Sequence, residues 1–407
     1  MALVKKVRPL GSRGGGSGTA QRRSSARPEF VAKEAPCAHA CPAGTDVRGF
    51  LITLARGDAR GLTETQAVEA AFHVIADRNP LPAVCGWLCP HHCETGCTRE
   101  PYDGGVSVNQ VERAVAEAAI RASWALRRLE CAATGTPVTV IGAGAAGLSA
   151  AYQLARRGYN VTLADPHGEP GGELRYGIDE TRLPRAVLDA EIARILALGV
   201  TFAGSADLAA AEAAAPRLVK TKLYEAGSPV ALGAIAAAVH FGRRAAAMLD
   251  ADVSGATVAA PAMLPPVDKS RVQADYHLHA PRGEASGEAW PPGAAVAEAR
   301  RCLSCGGCFE CDNCYKYCPD QAVLKPVAPG EPYRFKLEFC QGCNKCAEQL
   351  PGHRVGAGGA FEFLDEARPG ALLEFVQPGS GRRVVGHHGS SGAPQAGARL
   401  TPQRISM

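Results

Sequence analysis

The clearest hydrophobic pattern along the chain begins at Pro137 and alternates short apolar segments with amphipathic ones. Runs rich in β-branched residues predict strands at 138–141 and 160–163, with a third at 200–202. The segments 145–158 and 185–198 have the length and apolar spacing of helices. Because strands that alternate with helices form parallel sheets, we predict an α/β unit with three parallel strands over about 137–202.

On either side of this unit the hydrophobic pattern is helical or irregular. Residues 36–129 predict helices with cysteines at their turns. After 202 the pattern fades into an Ala-rich stretch at 204–217, one helix over 228–250 and a Pro/Ala/Gly-rich stretch at 251–300. The chain therefore divides into a disordered basic tail (1–30), a helical domain (31–131), the α/β unit (132–250), a linker (251–297), a cysteine-dense segment (298–350) and a disordered tail (351–407).

Composition and charge narrow the class of protein. The 407 residues include 46 Gly and 29 Pro, together above the usual share of roughly 12%, so long irregular stretches are expected. The net charge of +4 is too small to indicate a nucleic-acid binder. Basic residues are concentrated before residue 28, which we interpret as a disordered tail, with an organelle transit peptide as the alternative. No stretch is long and apolar enough for a membrane span.

Cysteine usage is the most informative part of the composition. Of the 16 cysteines, all except Cys131 fall within 37–97 or 302–346. A disulfide framework suits small secreted domains, but the N-terminus lacks the apolar run of a secretory signal. We therefore predict metal-bound thiolates in a reducing compartment, the cytoplasm, with an organelle matrix as the alternative.

A glycine-rich turn joins the first predicted strand to the first helix of the α/β unit. Its residues are Gly142, Ala143, Gly144, Ala145, Ala146 and Gly147. In such a turn the glycines permit a tight bend and let backbone amides approach a pyrophosphate at the helix N-terminus. Asp165 follows the second strand and is expected to accept a hydrogen bond from a ribose hydroxyl. This context predicts a dinucleotide site rather than an incidental Gly-rich turn.

The residues after Asp165 bear on which dinucleotide is bound. The pair Gly171 and Gly172, followed by Leu174 and Arg182, resembles the FAD unit of flavoproteins that have two dinucleotide domains. NAD(P) sites usually lack this second glycine pair. We therefore favour FAD, with NAD(P) as the alternative.

The C-terminal cysteines have the spacing of a bacterial ferredoxin. The first run is Cys308, Cys311, Cys314 and Cys318, and a second begins with Cys340, Cys343 and Cys346. Thiolates at such spacing also allow structural zinc. A two-cluster module needs one more cysteine at position 350, where this chain has leucine. The first site is therefore expected to hold a labile or three-iron [3Fe-4S] cluster, or to recruit Cys302 or Cys305.

Three motifs together resemble the glutamate synthase small-chain family of FAD and iron–sulfur NAD(P)H oxidoreductases. They are the segments 35–42 and 84–97, which carry the N-terminal cysteines, and the glycine-rich turn. With the ferredoxin-like segment behind them, the pattern is most similar to members such as the NAD(P)H:acceptor subunit that accompanies dissimilatory sulfite reductase. The implied fold is multidomain: an α-helical iron–sulfur domain, an incomplete Rossmann-like α/β FAD unit, a ferredoxin-like 2[4Fe-4S] segment and disordered tails.

The resemblance implies a set of cluster ligands in the helical domain. Cys41, Cys89 and Cys93 match one [4Fe-4S] cluster, with Glu112 or Cys97 as the fourth group. Cys37 and Cys97 match ligands of a second cluster. The Cys-x2-Cys that precedes them in the family is missing here, so we expect one N-terminal cluster and leave the second open.

One departure from the family concerns the nicotinamide cofactor. Family members insert a second Rossmann domain for NAD(P)H into the FAD domain, and this sequence has no second Gly-rich turn of that kind. The resemblance therefore implies an oxidoreductase subunit that passes electrons between FAD and iron–sulfur clusters and receives them from a redox partner protein or larger oxidoreductase. Two alternatives remain open: an iron–sulfur relay or inactive remnant, and a zinc-binding interaction module.

Overall fold

A computed structural model describes most of the chain between the predicted tails. The described residues are 27–30, 33–130, 135–220, 232–256, 264–269, 278–284, 287–306, 312–327, 333–343, 345–348 and 361–364. Cys308, Cys311 and Leu350 lie outside them, as do most of the residues in the two predicted tails.

The first part of the chain is helical, as its hydrophobic pattern predicts. Strand β1 (Arg27–Phe30) precedes helices α1 (Pro36–His39), α2 (Val47–Ala55), α3 (Glu64–Ala76), α4 (Pro82–Leu88), α5 (His92–Thr95), α6 (Glu100–Asp103) and α7 (Val108–Arg121). Thr63 and Gln66 form a capping box that satisfies the free amides at the start of α3. The apolar faces of α2, α3 and α7 bury large side chains, among them Phe50, Phe72 and Val111. These helices form the frame that carries the N-terminal cysteines.

The α/β unit follows and has one strand more than the sequence predicts. Its elements are β2 (Pro137–Ile141), α8 (Ala145–Ala155), β3 (Asn160–Ala164), α9 (Glu173–Tyr176), α10 (Arg185–Leu196), β4 (Thr201–Ala203), α11 (Leu208–Ala214), β5 (Leu218–Lys220) and α12 (Leu232–Ser254). The parallel sheet has the order β4-β3-β2-β5, with Ile141 opposite Ala164 and Lys220. The prediction of three strands is wrong because β5 is too short to give a pattern and only Val219 in it is buried.

Helix α12 packs directly on α8, the helix that follows the glycine-rich turn. A Cβ at Gly242 would collide with the carbonyl oxygen of Ala146 and would lie 2.9 Å from the amide nitrogen of Ala150. The Ser149 hydroxyl donates to the Val239 carbonyl over 2.7 Å. The small residues of the two helices therefore allow backbone-to-backbone packing at the start of α8.

The helical and α/β parts share one hydrophobic core. Glu191 on α10 is fully buried and accepts hydrogen bonds from the amides of Ala83 and Val84, at 2.8 and 3.0 Å, at the start of α4. The Arg156 guanidinium pairs with Asp77 at 2.8 Å. The two parts are therefore held in a fixed relation by buried polar contacts as well as by apolar packing.

The C-terminal part is more ordered than the sequence predicts. It contains α13 (Pro292–Ala299), α14 (Asn313–Lys316), β6 (Val323–Leu324), β7 (Arg334–Phe335), α15 (Lys345–Glu348) and β8 (Phe361–Leu364). Helix α13 lies partly within the predicted linker 251–297 and packs on α2, α3 and α7. Strands β6 and β7 pair antiparallel.

Two short strands fall in the segments predicted as disordered tails. Strand β1 pairs antiparallel with β8, with Arg27 opposite Leu364. These two short strands are stabilised by pairing with each other. Neither segment alone therefore has a hydrophobic pattern that predicts a strand. Among the described residues, no helix combines the length and hydropathy needed to cross a bilayer.

Candidate functional site

The glycine-rich turn leaves space next to the first amides of α8. Gly142 has φ 96°, and its amide donates to the Ala164 carbonyl over 2.8 Å, which ties the turn to the end of β3. A Cβ placed on Gly144 would have no atom within 4 Å. The space in front of Gly144, beside the free amides at the start of α8, fits the pyrophosphate of a dinucleotide.

The second glycine pair, Gly171 and Gly172, packs against the glycine-rich turn. The Gly171 amide donates to the Ala143 carbonyl over 2.9 Å. Gly172 has φ 48°, and a Cβ there would lie 2.9 Å from the Cα of Gly144. Glycine at 172 is thus required both by its backbone conformation and by the close approach. Leu174 is buried just beyond the pair, whereas Arg182 lies exposed in the loop before α10.

Asp165 holds the turn from the end of β3. Its buried carboxylate accepts from the amide of Ala143 over 2.7 Å and from the amide of His167 over 2.9 Å. Carboxylate oxygens have further lone pairs, so a ribose hydroxyl could also donate to this group. The His167 ring stacks on Tyr176 with centroids 4.3 Å apart. The sequence analysis missed His167 and Tyr176, because only the folded loop brings them together.

Three of the N-terminal cysteines lie near enough to Glu112 to be affected by its charge. Cys41 follows α1, Cys89 follows α4 and Cys93 lies in α5. Burial raises the pKa of each thiol, to about 11 for Cys89, and the negative charge of Glu112 raises all three further. We call these three cysteines and Glu112 the first set. Cys85, inside α4, is buried beside it and has a pKa raised by burial and by Glu112.

Polar groups around the first set fit a metal cluster. The Asn79 amide donates to Glu112 over 3.2 Å, and burial raises the pKa of Glu112 to about 8. The Thr45 hydroxyl is buried without a hydrogen-bond partner among the described residues. Thiols with raised pKa values stay protonated until a metal replaces the protons, which is the usual behaviour of buried ligands.

A second set of cysteines lines a separate cavity. Cys37, Cys97, Cys302 and Cys305 surround it, together with buried Arg48, Leu51 and Leu303. The empty space among these residues, including the part that is open to solvent, is about 370 Å³. Burial raises the pKa of Cys37, and Cys302, Cys97 and Cys305 raise it further. Cys97 therefore belongs here rather than to the first set.

This arrangement changes the expectation for Cys302 and Cys305. Their position in the sequence makes them candidates for recruitment by the first ferredoxin-like site, but they line one cavity with Cys37 and Cys97. Sequence spacing could not reveal the contact, since about 200 residues separate Cys97 from Cys302 and still more separate Cys37 from it. Among the described residues, no three His, Cys, Asp or Glu side chains converge closely enough for a single metal ion.

The ferredoxin-like segment is described in part. Cys314 in α14 and Cys346 in α15 are buried, Cys318 and Cys340 are half-buried, and Cys343 is exposed. Helices α14 and α15 contact each other, so Cys314 and Cys346 lie on neighbouring elements. Cys308, Cys311 and Leu350 lie outside the described residues, so the consequence of the missing cysteine at 350 stays a prediction.

Known protein families match the same two parts of the chain. Residues 19–124 match the family described as dihydropyrimidine dehydrogenase domain II, 4Fe-4S cluster. Residues 140–192 match the NAD(P)-binding Rossmann-like domain. The chain thus has the iron–sulfur domain and the Rossmann domain of an electron-transfer oxidoreductase, and its resemblance to the glutamate synthase small-chain-like NAD(P)H oxidoreductases is confirmed.

Its relatives are subunits of such oxidoreductases. Over 175 residues the chain is 39% identical to NAD-dependent dihydropyrimidine dehydrogenase subunit PreT of Escherichia coli (strain K12), covering 42% of this chain and 40% of that protein. It is 34% identical to NADP(+)-dependent formate dehydrogenase subunit beta of Moorella thermoacetica, covering 41% of this chain and 26% of that protein. It is 33% identical to NADPH-Fe(3+) oxidoreductase subunit beta of Geobacter sulfurreducens, covering 41% and 24%. The matched region spans two fifths or less of the length of these relatives.

Proposed function

We propose that this chain is an electron-transfer subunit that binds FAD at the glycine-rich turn and a [4Fe-4S] cluster at the first set. The observation that carries the proposal is the packing of the loop after Cys41 against the α/β unit. A Cβ on Gly44 in this loop would lie 2.7 Å from an Arg243 nitrogen on α12. Because α12 also packs on α8, one helix contacts both candidate sites.

This packing supports a role for the protein in electron transfer between the two proposed cofactors. A bound flavin supplies two-electron chemistry with a hydride donor and one-electron chemistry with clusters, while the protein supplies orientation. The α8 amides would hold the pyrophosphate, and Gly172 keeps the loop close to the turn. Cys41, Cys89 and Cys93 would hold the cluster iron, with Glu112 as the fourth group. A fixed contact through α12 keeps the separation between the two cofactors constant.

The choice of FAD over NAD(P) rests on the second glycine pair. The matched family is described as NAD(P)-binding, so the name of the family alone favours the nicotinamide cofactor. The close contact of Gly171 and Gly172 with the turn supports FAD, because it reproduces the feature that the sequence shares with flavoproteins. NAD(P) at this turn is the second candidate.

Electrons would reach the flavin through a partner. The described residues contain one parallel sheet of Rossmann type, and we assign that sheet to FAD. We therefore propose that a redox partner protein or larger oxidoreductase subunit in a reducing compartment such as the cytoplasm supplies or accepts the electrons. The ferredoxin-like segment, with ligands at Cys308, Cys311, Cys314, Cys318, Cys340, Cys343 and Cys346, is proposed as the exchange point with that partner.

Cofactor analysis of the anaerobically purified full chain tests this proposal. We expect FAD on release by denaturation, a visible iron–sulfur spectrum, and no micromolar binding of NADH or NADPH by calorimetry. Iron–sulfur absorption without flavin would favour the relay, and colourless protein with bound zinc would favour the interaction module. Tight NADPH or NADH binding at a flavin-free turn would assign the Rossmann unit to NAD(P) and overturn the FAD proposal.

A further inference from the structure

We propose that Cys37, Cys97, Cys302 and Cys305 together hold a second [4Fe-4S] cluster, so that a segment from the C-terminal part of the chain completes a site in the N-terminal domain. The inference does not depend on FAD binding. It supplies the pair of cysteines that the N-terminal sequence lacks. Its basis is the shape of the cavity and the contacts that fix each pair of thiols.

The cavity has the lining that a cluster requires. Four cysteines from three separate segments line one cavity. Buried apolar residues Leu51, Val106 and Leu303 form much of the remaining wall. Four thiolates are the usual ligand set of a [4Fe-4S] cluster, and apolar walls limit the access of water to it. The buried Arg48 guanidinium in the wall offsets part of the negative charge.

The loop that carries Cys302 and Cys305 curls around this space. Ser304 and Gly306 have φ values of 50° and 76°, which turn the backbone back on itself. The Ser304 amide donates to the Cys302 sulfur over 3.4 Å. Hydrogen bonds from amides to cysteine sulfur are among the contacts that tune bound clusters. The Cys305 sulfur lies 3.4 Å from the Thr98 hydroxyl, which could donate to it once it is a thiolate.

A buried ionic network fixes the two C-terminal thiols against Cys97. Arg99 donates to the Arg301 carbonyl over 2.8 Å and pairs with Asp103 at 2.5 Å. Arg301 in turn donates to the carbonyls of Asp103 and Gly104 at 2.9 and 2.7 Å and pairs with Glu298 at 2.6 Å. Arg99 follows Cys97 by two residues, and Arg301 directly precedes Cys302. The network therefore sets the distance between the Cys97 and Cys302 thiols.

A second anchor fixes the same loop near Cys37. The Val267 amide donates to the Glu34 carbonyl over 2.9 Å, and the Glu34 amide donates to the Pro265 carbonyl over 3.0 Å. Val267 packs with Leu303 and Cys305 in a small buried cluster that Cys37 contacts. The loop with Cys302 and Cys305 is therefore anchored both near Cys97 and near Cys37. The four thiols are brought together by the tertiary fold and not by their spacing in the sequence.

A cluster fits these residues better than zinc does. Tetrahedral zinc with Zn–S bonds of about 2.3 Å requires four sulfurs roughly 4 Å apart. No three candidate ligands among the described residues have single-ion geometry. The structure thus separates the thiols by a space suited to a larger group.

The proposed site would also connect the other clusters. Cys37 and Cys41 are four residues apart, so the second set adjoins the first. Cys305 is three residues before Cys308, so the second set also adjoins the ferredoxin-like segment. Along the chain, a cluster at the second set would therefore be next to both of the other sets of cysteines.

Iron counting on the full chain tests the proposal. We expect Cys302→Ser/Cys305→Ser, purified anaerobically, to lose about four irons and four sulfides per chain relative to the unmodified protein. Its Mössbauer spectrum should lose the area of one four-iron cluster. Ser304→Ala is the matched control, since it changes the residue between the two thiols and should keep all iron. Unchanged iron in the double variant, or one zinc lost instead of four irons, would overturn the assignment.

Thiol mapping on folded protein covers the case in which the double variant is insoluble. In iron-loaded protein we expect alkylation to spare Cys302 and Cys305. In Cys37→Ser both should become alkylated, while Cys41, Cys89 and Cys93 stay protected. Cys85→Ser, which removes a buried thiol outside the second set, should leave Cys302 and Cys305 protected. Protection of both thiols in Cys37→Ser, or their alkylation in the loaded unmodified protein, would contradict a shared cluster.

Discussion

Glu112 distinguishes the two sets of cysteines, because it lies near the first set only. Its carboxyl is buried, accepts from Asn79, and acts electrostatically on Cys41, Cys89 and Cys93. Cys97, the alternative fourth group, lines the other cavity. The family resemblance implies that Glu112 is the fourth group of this set, and its ligand role stays a prediction.

Replacing Glu112 tests whether it is a cluster ligand. In Glu112→Gln we expect the iron content to stay unchanged and the reduction potential of one cluster to rise, because a neutral ligand stabilises the reduced, more negative cluster relative to a carboxylate. In Glu112→Ala we expect loss of up to about four irons. Redox titration followed by electron paramagnetic resonance measures the potential. A full complement of iron with unchanged potential in both variants would show that Glu112 is not a ligand.

Replacing Gly172 tests the proposed dinucleotide site. Its φ of 48° and the approach of Gly144 leave no room for a side chain. We expect Gly172→Ala to cost about 1–3 kcal/mol locally and to lower the FAD content of purified protein severalfold. Gly168→Ala is the control, because a Cβ there meets only the Ser205 hydroxyl, at 3.8 Å. Equal flavin content in the two variants would contradict the assigned turn.

At the scale of elements, long patterned segments were predictable and short ones were not. Strands β2 and β3 and helix α8 follow from β-branched runs around a glycine-rich turn. Helix α13 was assigned to a linker because its sequence is rich in Pro, Ala and Gly, yet Ala295 and Ala299 are buried against the helical domain. Proline at its first turn fits a helix start, but the stability comes from packing that the local sequence does not show.

The second set of cysteines could not be predicted from the sequence either, because it also depends on tertiary contacts. Each pair of thiols, Cys37 with Cys97 and Cys302 with Cys305, is visible as a motif fragment. Their meeting depends on the buried network of Arg99, Asp103 and Arg301, which joins residues about 200 positions apart. Long-range contacts of this kind are fixed by the tertiary fold, so spacing along the chain carries no signal for them.

Glu191 connects α10 to the start of α4 and gives a pH-dependent prediction. Burial raises its pKa from 4.5 to about 7, while Arg194 and the amides of Ala83 and Val84 limit the rise. The folded protein therefore binds this proton more tightly than the unfolded chain does. The associated stabilisation, up to about 3 kcal/mol, is present below pH 4.5 and is lost as the pH rises through about 7.

Thermal unfolding of Glu191→Gln at pH 5 and pH 8 checks this prediction. Because Gln does not titrate, we expect the variant to lose less stability than the unmodified protein between the two pH values. Asp189→Asn, on the same helix but exposed, should behave like the unmodified protein. Parallel pH profiles for Glu191→Gln and the unmodified protein would contradict the raised pKa.

At the scale of the whole molecule, the C-terminal part is locked to the N-terminal domain by Arg301. Its side chain is 5% exposed and pairs with Asp103 and Glu298. Removing one partner from a buried ion pair leaves the other charges without compensation, typically at a cost of about 3–5 kcal/mol. The neighbouring Arg300 is half-exposed and pairs with exposed Asp58, which normally contributes at most about 1 kcal/mol.

Arg301→Ala should therefore detach residues 278–306 from the N-terminal domain, whereas Arg300→Ala should leave them in place. We expect limited proteolysis to cleave within 278–306 much faster in Arg301→Ala, with a lower unfolding temperature. Arg300→Ala should match the unmodified protein closely. Equal cleavage rates in the two variants would show that the network does not hold this segment.

In the proposed function, electrons pass between FAD and the clusters within one chain. Laser-flash photoreduction of the anaerobic full-length protein, with rapid freeze-quench electron paramagnetic resonance, measures this directly. We expect loss of the reduced-flavin absorbance to coincide with the appearance of reduced-cluster signals, at a rate that does not change with protein concentration. Clusters that stay oxidised while the flavin is reduced, or a rate proportional to protein concentration, would contradict intramolecular transfer.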